Sequence, residues 1–102
     1  MTGQSPALTP ATVLVAAREQ VSAEVEGGAV ILNLADGVYY GLDGVGARVW
    51  EMLREPRPLA QVRDAVTAEY EVDAETAWND LERLLGDLLE RGLVEVVSAA
   101  GA

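Results

Sequence analysis

The chain has 102 residues, enough for one domain with one core, and a split into two would leave neither half a core of its own. It contains no Cys, no His and no Lys, which removes disulfides, thiolate metal sites, thiol nucleophiles, imidazole bases and Schiff-base chemistry together. Seven Arg stand against 17 carboxylates for a formal net charge of -10, so nucleic acids and anionic bilayers are repelled and a cationic peptide is the favoured kind of partner.

Residues 1 to 12 (MTGQSPALTPAT) are small and polar with two prolines, a composition that predicts a flexible arm. This start lacks the build of a signal peptide, and no apolar run approaches the roughly 20 residues of a membrane span, so a soluble, cytoplasmic protein is expected. Val13 to Ala17 is too short for periodicity to separate strand from helix. Val21 to Glu26 alternates with period two and reads as a strand. Gly27-Gly28 is a turn signal, Ala29 to Leu34 reads as a second strand, and Asp36-Gly37 is a second turn signal before a third strand, Val38 to Leu42.

Hairpin loop length fixes which residues share a face. Two-residue loops pair Val25 with Val30, Ala23 with Leu32, and Leu34 with Tyr39. That register predicts a core face of Val21, Ala23, Val25, Val30, Leu32, Leu34 and Tyr39, with Ser22, Glu24, Glu26, Asn33 and Tyr40 opposite. A three-residue loop at Ala35 to Gly37 turns Tyr40 inward instead, leaving the tyrosine pair open.

Asp43 is an N-cap for a helix carrying Val45, Val49, Trp50, Met52 and Leu53, stopped by Pro56-Arg57-Pro58. A second helix is expected from about Leu59 to Glu69, and a third from the Asp73 cap to Arg91-Gly92. Ala74, Ala77, Trp78, Leu81, Leu84, Leu85, Leu88 and Leu89 form one apolar stripe on the third helix. With Leu93 to Val97 as a strand behind the helix pair, the outline is α+β: a winged helix-turn-helix with an N-terminal three-stranded antiparallel meander followed by three α-helices. The expected organisation is an arm over 1–12, one domain over 13–97 and a disordered tail over 98–102.

A winged helix suggests DNA as a second class of partner. The third helix opposes it, since Asp73, Glu75, Asp80, Glu82, Asp87 and Glu90 outnumber Arg83 and Arg91. The other acidic residues fall at solvated positions rather than in paired catalytic spacing. Asp36-Gly37 and Asp43-Gly44 lack calcium-loop spacing, and Gly41 to Gly46 (GLDGVG) lacks a phosphate-loop lysine. No catalytic residue, metal site or cofactor is expected. Two features invite a peptide: Val38 to Leu42 carries no Pro, Lys or charge to protect a sheet edge, and Trp78 sits at a flank of the helix stripe bordered by Glu75 and Glu82.

The segment Leu32 to Leu53 (LNLADGVYYGLDGVGARVWEML), with Gly37, Tyr39, Tyr40, Leu42-Asp43, Gly46 and Trp50, then a helix pair and Arg91-Gly92-Leu93, resembles the PqqD-like proteins. The likeness spans roughly Val13 to Val94. It implies a recognition element that binds the leader of a ribosomally made precursor peptide and presents it to a processing enzyme. As a free-standing chain it is most similar to the version from lasso-peptide biosynthesis, with a separate leader peptidase and, less directly, a cyclase as partners. A pyrroloquinoline-quinone or other radical-enzyme pathway uses the same fold. The resemblance implies a leader strand on Val38, Tyr39, Tyr40, Gly41 and Leu42, beside the third helix, and the helical wheel places Glu75, Trp78, Glu82 and Leu85 along the groove between them.

Overall fold

Leu14 is fully buried, and burial decides what periodicity could not: Val13–Ala16 is a strand, β1. The computed structural model describes residues 8–98. After β1 come β2 (Gln20–Val25), β3 (Gly28–Asn33), β4 (Tyr39–Asp43), α1 (Gly44–Met52), the short β5 (Arg57–Pro58), α2 (Leu59–Tyr70), α3 (Ala74–Glu90) and β6 (Val94–Ser98). The strands form two antiparallel sheets, ordered β2-β3-β4 and β5-β1-β6. The first is the expected meander. The second joins the undecided segment, the proline segment expected only to stop a helix, and the C-terminal strand. Of the stretch expected as an arm, residues 1–7 lie outside the described residues, while Thr12 is buried and its hydroxyl accepts from the Thr9 N–H at 3.0 Å. Of the expected tail, residues 99–102 also lie outside.

The meander's registers differ from expectation by two residues at each hairpin. Val25 faces Gly28 rather than Val30, and Tyr39 faces Leu32 rather than Leu34. The first turn is Glu26-Gly27, where Gly27 supplies a φ of 82°; Gly28 belongs to β3, where a Cβ would collide with the Leu42 carbonyl oxygen of β4. A slip of two keeps every residue on its expected side. The core side, however, is the opposite one. Ala29, Ile31 and Leu42 are buried against the helices, and Tyr40 is half-buried. Val21 (54% exposed), Val25, Leu34 and Tyr39 (68%) face away from the core. The polar members of the inner side are accommodated by bonding. Asn33 donates through Nδ2 to the Arg91 carbonyl at 2.9 Å and accepts from the Ala35 N–H at 2.9 Å, and the Ser22 hydroxyl accepts from Arg54.

The helices follow their caps. The Asp43 carboxylate accepts from the Gly46 N–H at 2.8 Å, and that of Asp73 from Thr76 at 2.7 Å, each satisfying a donor of the first turn. The Asp73 carboxyl is held below its ordinary pKa by those first-turn N–H bonds, led by Thr76. Glu71, at φ 55°, ends α2 and turns the chain into α3. Val49, Leu53, Leu59, Val62, Leu85 and Leu88 join Leu14 and Ile31 in the core. Among the described residues no helix is long and apolar enough to cross a membrane.

Candidate functional site

β4 is an outer strand of its sheet, so among the described residues one row of its backbone groups has no strand partner. The Asn33 N–H donates to the Val38 carbonyl at 3.0 Å, which fixes the phase of the antiparallel ladder. Alternation then directs the N–H and C=O of Tyr40 and Leu42 toward β3, and those of Tyr39 and Gly41 toward the open edge. Side chains alternate too: Tyr40 and Leu42 point inward, and Tyr39 outward.

Beside that edge runs a groove of about 930 Å³ between β4 and α3. Its apolar lining comes from Leu42, Val49, Val66, Ala77, Leu81 and Leu84. One end is bounded by Val45, Tyr70 and Val72, the other by Tyr40, Asp87 and Glu90, and Asp80 and Arg83 stand along the helix rim. The Tyr40 hydroxyl donates to Asp87 Oδ2 at 2.7 Å, and the Arg91 guanidinium lies 4.8 Å from the Tyr40 ring centroid. Arg91 Nε is also 3.6 Å from Asp87 Oδ1. The bond to Asp87 raises the Tyr40 pKa above its usual value; burial and the Asp87 charge add to the rise, and Arg91 opposes it.

The expected site residues separate into two groups. Tyr40, Gly41 and Leu42 line the groove; Val38 lies just before β4, and Tyr39 sits on the strand with its side chain on the far side of the sheet. The helix residues lie away from this groove. Leu85 is fully buried in the core, Trp78 is half-buried against it, and Glu75 and Glu82 are exposed, with the groove lined instead by Ala77, Asp80, Leu81, Leu84 and Asp87. At about 100° per residue, Trp78 and Leu84 lie about 60° to either side of Leu81, each flanked by carboxylates. The stripe is therefore nearly symmetric, and the chain's topology turns the Leu84 flank toward β4. Leu84, Asp80 and Asp87 could have been found only by treating both flanks as candidates. Tyr70 and Val72, at the end of α2 and in the following link, carried no signal for the groove.

Among curated proteins none matches this sequence. Two solved structures share its fold. One, described as TbiB1 in complex with the TbiA(beta) leader peptide, is 38% identical with a TM-score of 0.74, over 79% of this chain and 94% of that one. The other, a lasso peptide synthetase B1 complexed with the leader peptide, is 28% identical with a TM-score of 0.72, over 80% and 96%. The family model of coenzyme PQQ synthesis protein D (PqqD) matches residues 28–94, from the first residue of β3 to the first of β6. That span holds the open edge, the groove and all three helices, and the chain belongs to the PqqD family.

Proposed function

We propose that this chain binds the leader of a ribosomally synthesised precursor peptide and presents it to a leader peptidase in lasso-peptide biosynthesis. The observation that carries the reading is the open edge of β4 beside an apolar groove, in a fold shared with two proteins solved with leader peptides. The leader adds as an antiparallel strand. Its main chain bonds to Tyr39 and Gly41, and alternate side chains enter the groove, where apolar residues meet Leu42, Leu81 and Leu84 and a basic residue meets the Asp80 and Asp87 rim. Strand addition gives affinity with little demand on sequence, and the groove adds selectivity.

The role is binding without catalysis. With no Cys, His or Lys, the chain offers no thiol, imidazole or side-chain amine to attack or deprotonate a peptide. The peptidase is a separate protein, and the outer face of the sheet, with Val21, Val25 and Tyr39 exposed, supports such a partner. A cyclase is a less direct one. The site of action is the cytoplasm, where a ribosomal precursor first appears. The family model's own description favours a pyrroloquinoline-quinone pathway as the second reading, and the two lasso complexes weigh against it.

Fluorescence polarisation with the labelled leader of the chain's own precursor tests this reading. Submicromolar binding is expected, with backbone N-methylation weakening it at every other leader position. Tolerance of methylation throughout would rule out strand addition. The isolated protein should leave the precursor mass unchanged.

A further inference from the structure

A second pocket, of about 550 Å³, lies between β2 and α1 and is bordered by Ser22, Glu24, Arg48, Trp50, Arg54 and Tyr70. We propose that it takes the part of the leader N-terminal to the added strand, and that Arg54 holds a carboxylate of that segment. The proposal rests on the leader reading above.

Direction and continuity point to this path. β4 runs from Tyr39 to Asp43, so an antiparallel partner has its N-terminal end beside Asp43, and its upstream residues leave the groove there. Asp43 lines the groove, and the next residue, Gly44, lines the second pocket. Tyr70 lines both. A chain leaving the groove past the start of α1 thus arrives at the second pocket beside one shared aromatic wall.

The pocket's donors give the chemistry. Arg48 is already engaged, its Nε and terminal nitrogen each 3.0 Å from a Glu69 oxygen, with Glu51 4.0 Å away. Arg54 differs: among the described residues it makes no ion pair, and its hydrogen bond goes to the neutral Ser22 hydroxyl at 3.2 Å. Trp50 is 3% exposed and forms part of the pocket wall. Glu24 and Glu51 border the same pocket and oppose any anion there, so a bound carboxylate depends on Arg54 and a second one is excluded.

The test uses two synthetic peptides, the full leader of the chain's own precursor and the same leader trimmed of residues preceding the strand. Trimming should weaken binding to the wild type about tenfold, and Arg54→Glu should cause a similar loss with the full leader and none with the trimmed one. In amide NMR spectra the Trp50 indole N–H signal should move with the full leader only. Equal affinity for both peptides, or equal weakening of both by Arg54→Glu, overturns the pocket assignment while leaving the strand reading intact. A trimmed leader that does not bind the wild type, together with methylation effects that do not alternate, removes the strand reading and this inference with it.

Discussion

The two faces of the β2-β3-β4 sheet differ less in hydrophobicity than in what covers them. The outer face has the more uniform row, with Val21, Val25, Val30, Leu32 and Tyr39, yet Val21, Val25 and Tyr39 stay exposed. The inner face mixes Ala29, Ile31 and Leu42 with Ser22 and Asn33 and is the one packed on the helices. Apolar content alone therefore does not select the buried face of a two-faced sheet. The helices that follow β4 cover one side, and the polar residues there persist because each has a partner: Asn33 reaches the Arg91 carbonyl and Ser22 the Arg54 guanidinium. Among the described residues nothing covers the outer face.

This contrast is sharpest in stability. Ile31 is fully buried, and Ile31→Ala should cost about 3 kcal/mol through lost burial and an unfilled cavity. Val21→Ala and Val25→Ala, on the face that sequence alone nominated as core, should each change stability by less than about 0.5 kcal/mol. Urea midpoints at constant slope report all three. Equal costs on the two faces would break the comparison.

Asn33 extends it to a polar residue. Its amide ties β3 to the end of α3 and closes the turn at Ala35, so Asn33→Ala leaves the Arg91 carbonyl and the Ala35 N–H without those partners. A loss of about 2 kcal/mol is expected, larger than that for either outer valine. A neutral result would mean that solvent satisfies these groups and that Asn33 is tolerated on the inner face rather than required there.

The same two-sidedness limited what the sequence could tell. The three strands of the meander, the three helices and both Asp caps were legible, because turn residues, period and capping chemistry are local signals. The grouping of residues into two faces was legible as well, since a register slip of two preserves it. Which face is buried was not. That choice depends on the Asn33–Arg91 bond, spanning 58 residues, and on the side from which the helices arrive. The groove has the same history: β4's open edge could be read from its composition, whereas the choice between the Trp78 and Leu84 flanks of α3 is made by topology. The second sheet escaped because β1 is four residues long and β5 two, too short for a period to register.

The flanks give the next prediction. Leu84→Ala should weaken leader binding about tenfold, near 1.4 kcal/mol, while unfolding shifts less. Trp78→Ala should do the reverse, lowering the unfolding midpoint and leaving the affinity of the folded protein unchanged. Measuring both quantities on both variants separates groove from core, and a Trp78 variant that keeps its stability and loses binding would return the site to the other flank.

The smallest effect compares two adjacent residues on opposite faces. Tyr39 is 68% exposed and among the described residues its hydroxyl has no hydrogen-bond partner, so Tyr39→Phe should leave the unfolding midpoint in place. Tyr40→Phe deletes the hydroxyl that donates to Asp87 and should cost about 1 kcal/mol. Ionisation provides an independent check. The Asp87 bond and burial favour the neutral phenol, so the folded pKa of Tyr40 lies above the unfolded value of about 10. Between those two values the folded chain binds more protons than the unfolded one, and stability falls as pH rises. This contribution is fully present below about pH 10 and is lost as pH climbs through the folded value. Urea midpoints from pH 8 to 11 should therefore decline more steeply for the wild type than for Tyr40→Phe. Parallel declines would show that the phenol on the inner face is no better held than the one facing solvent.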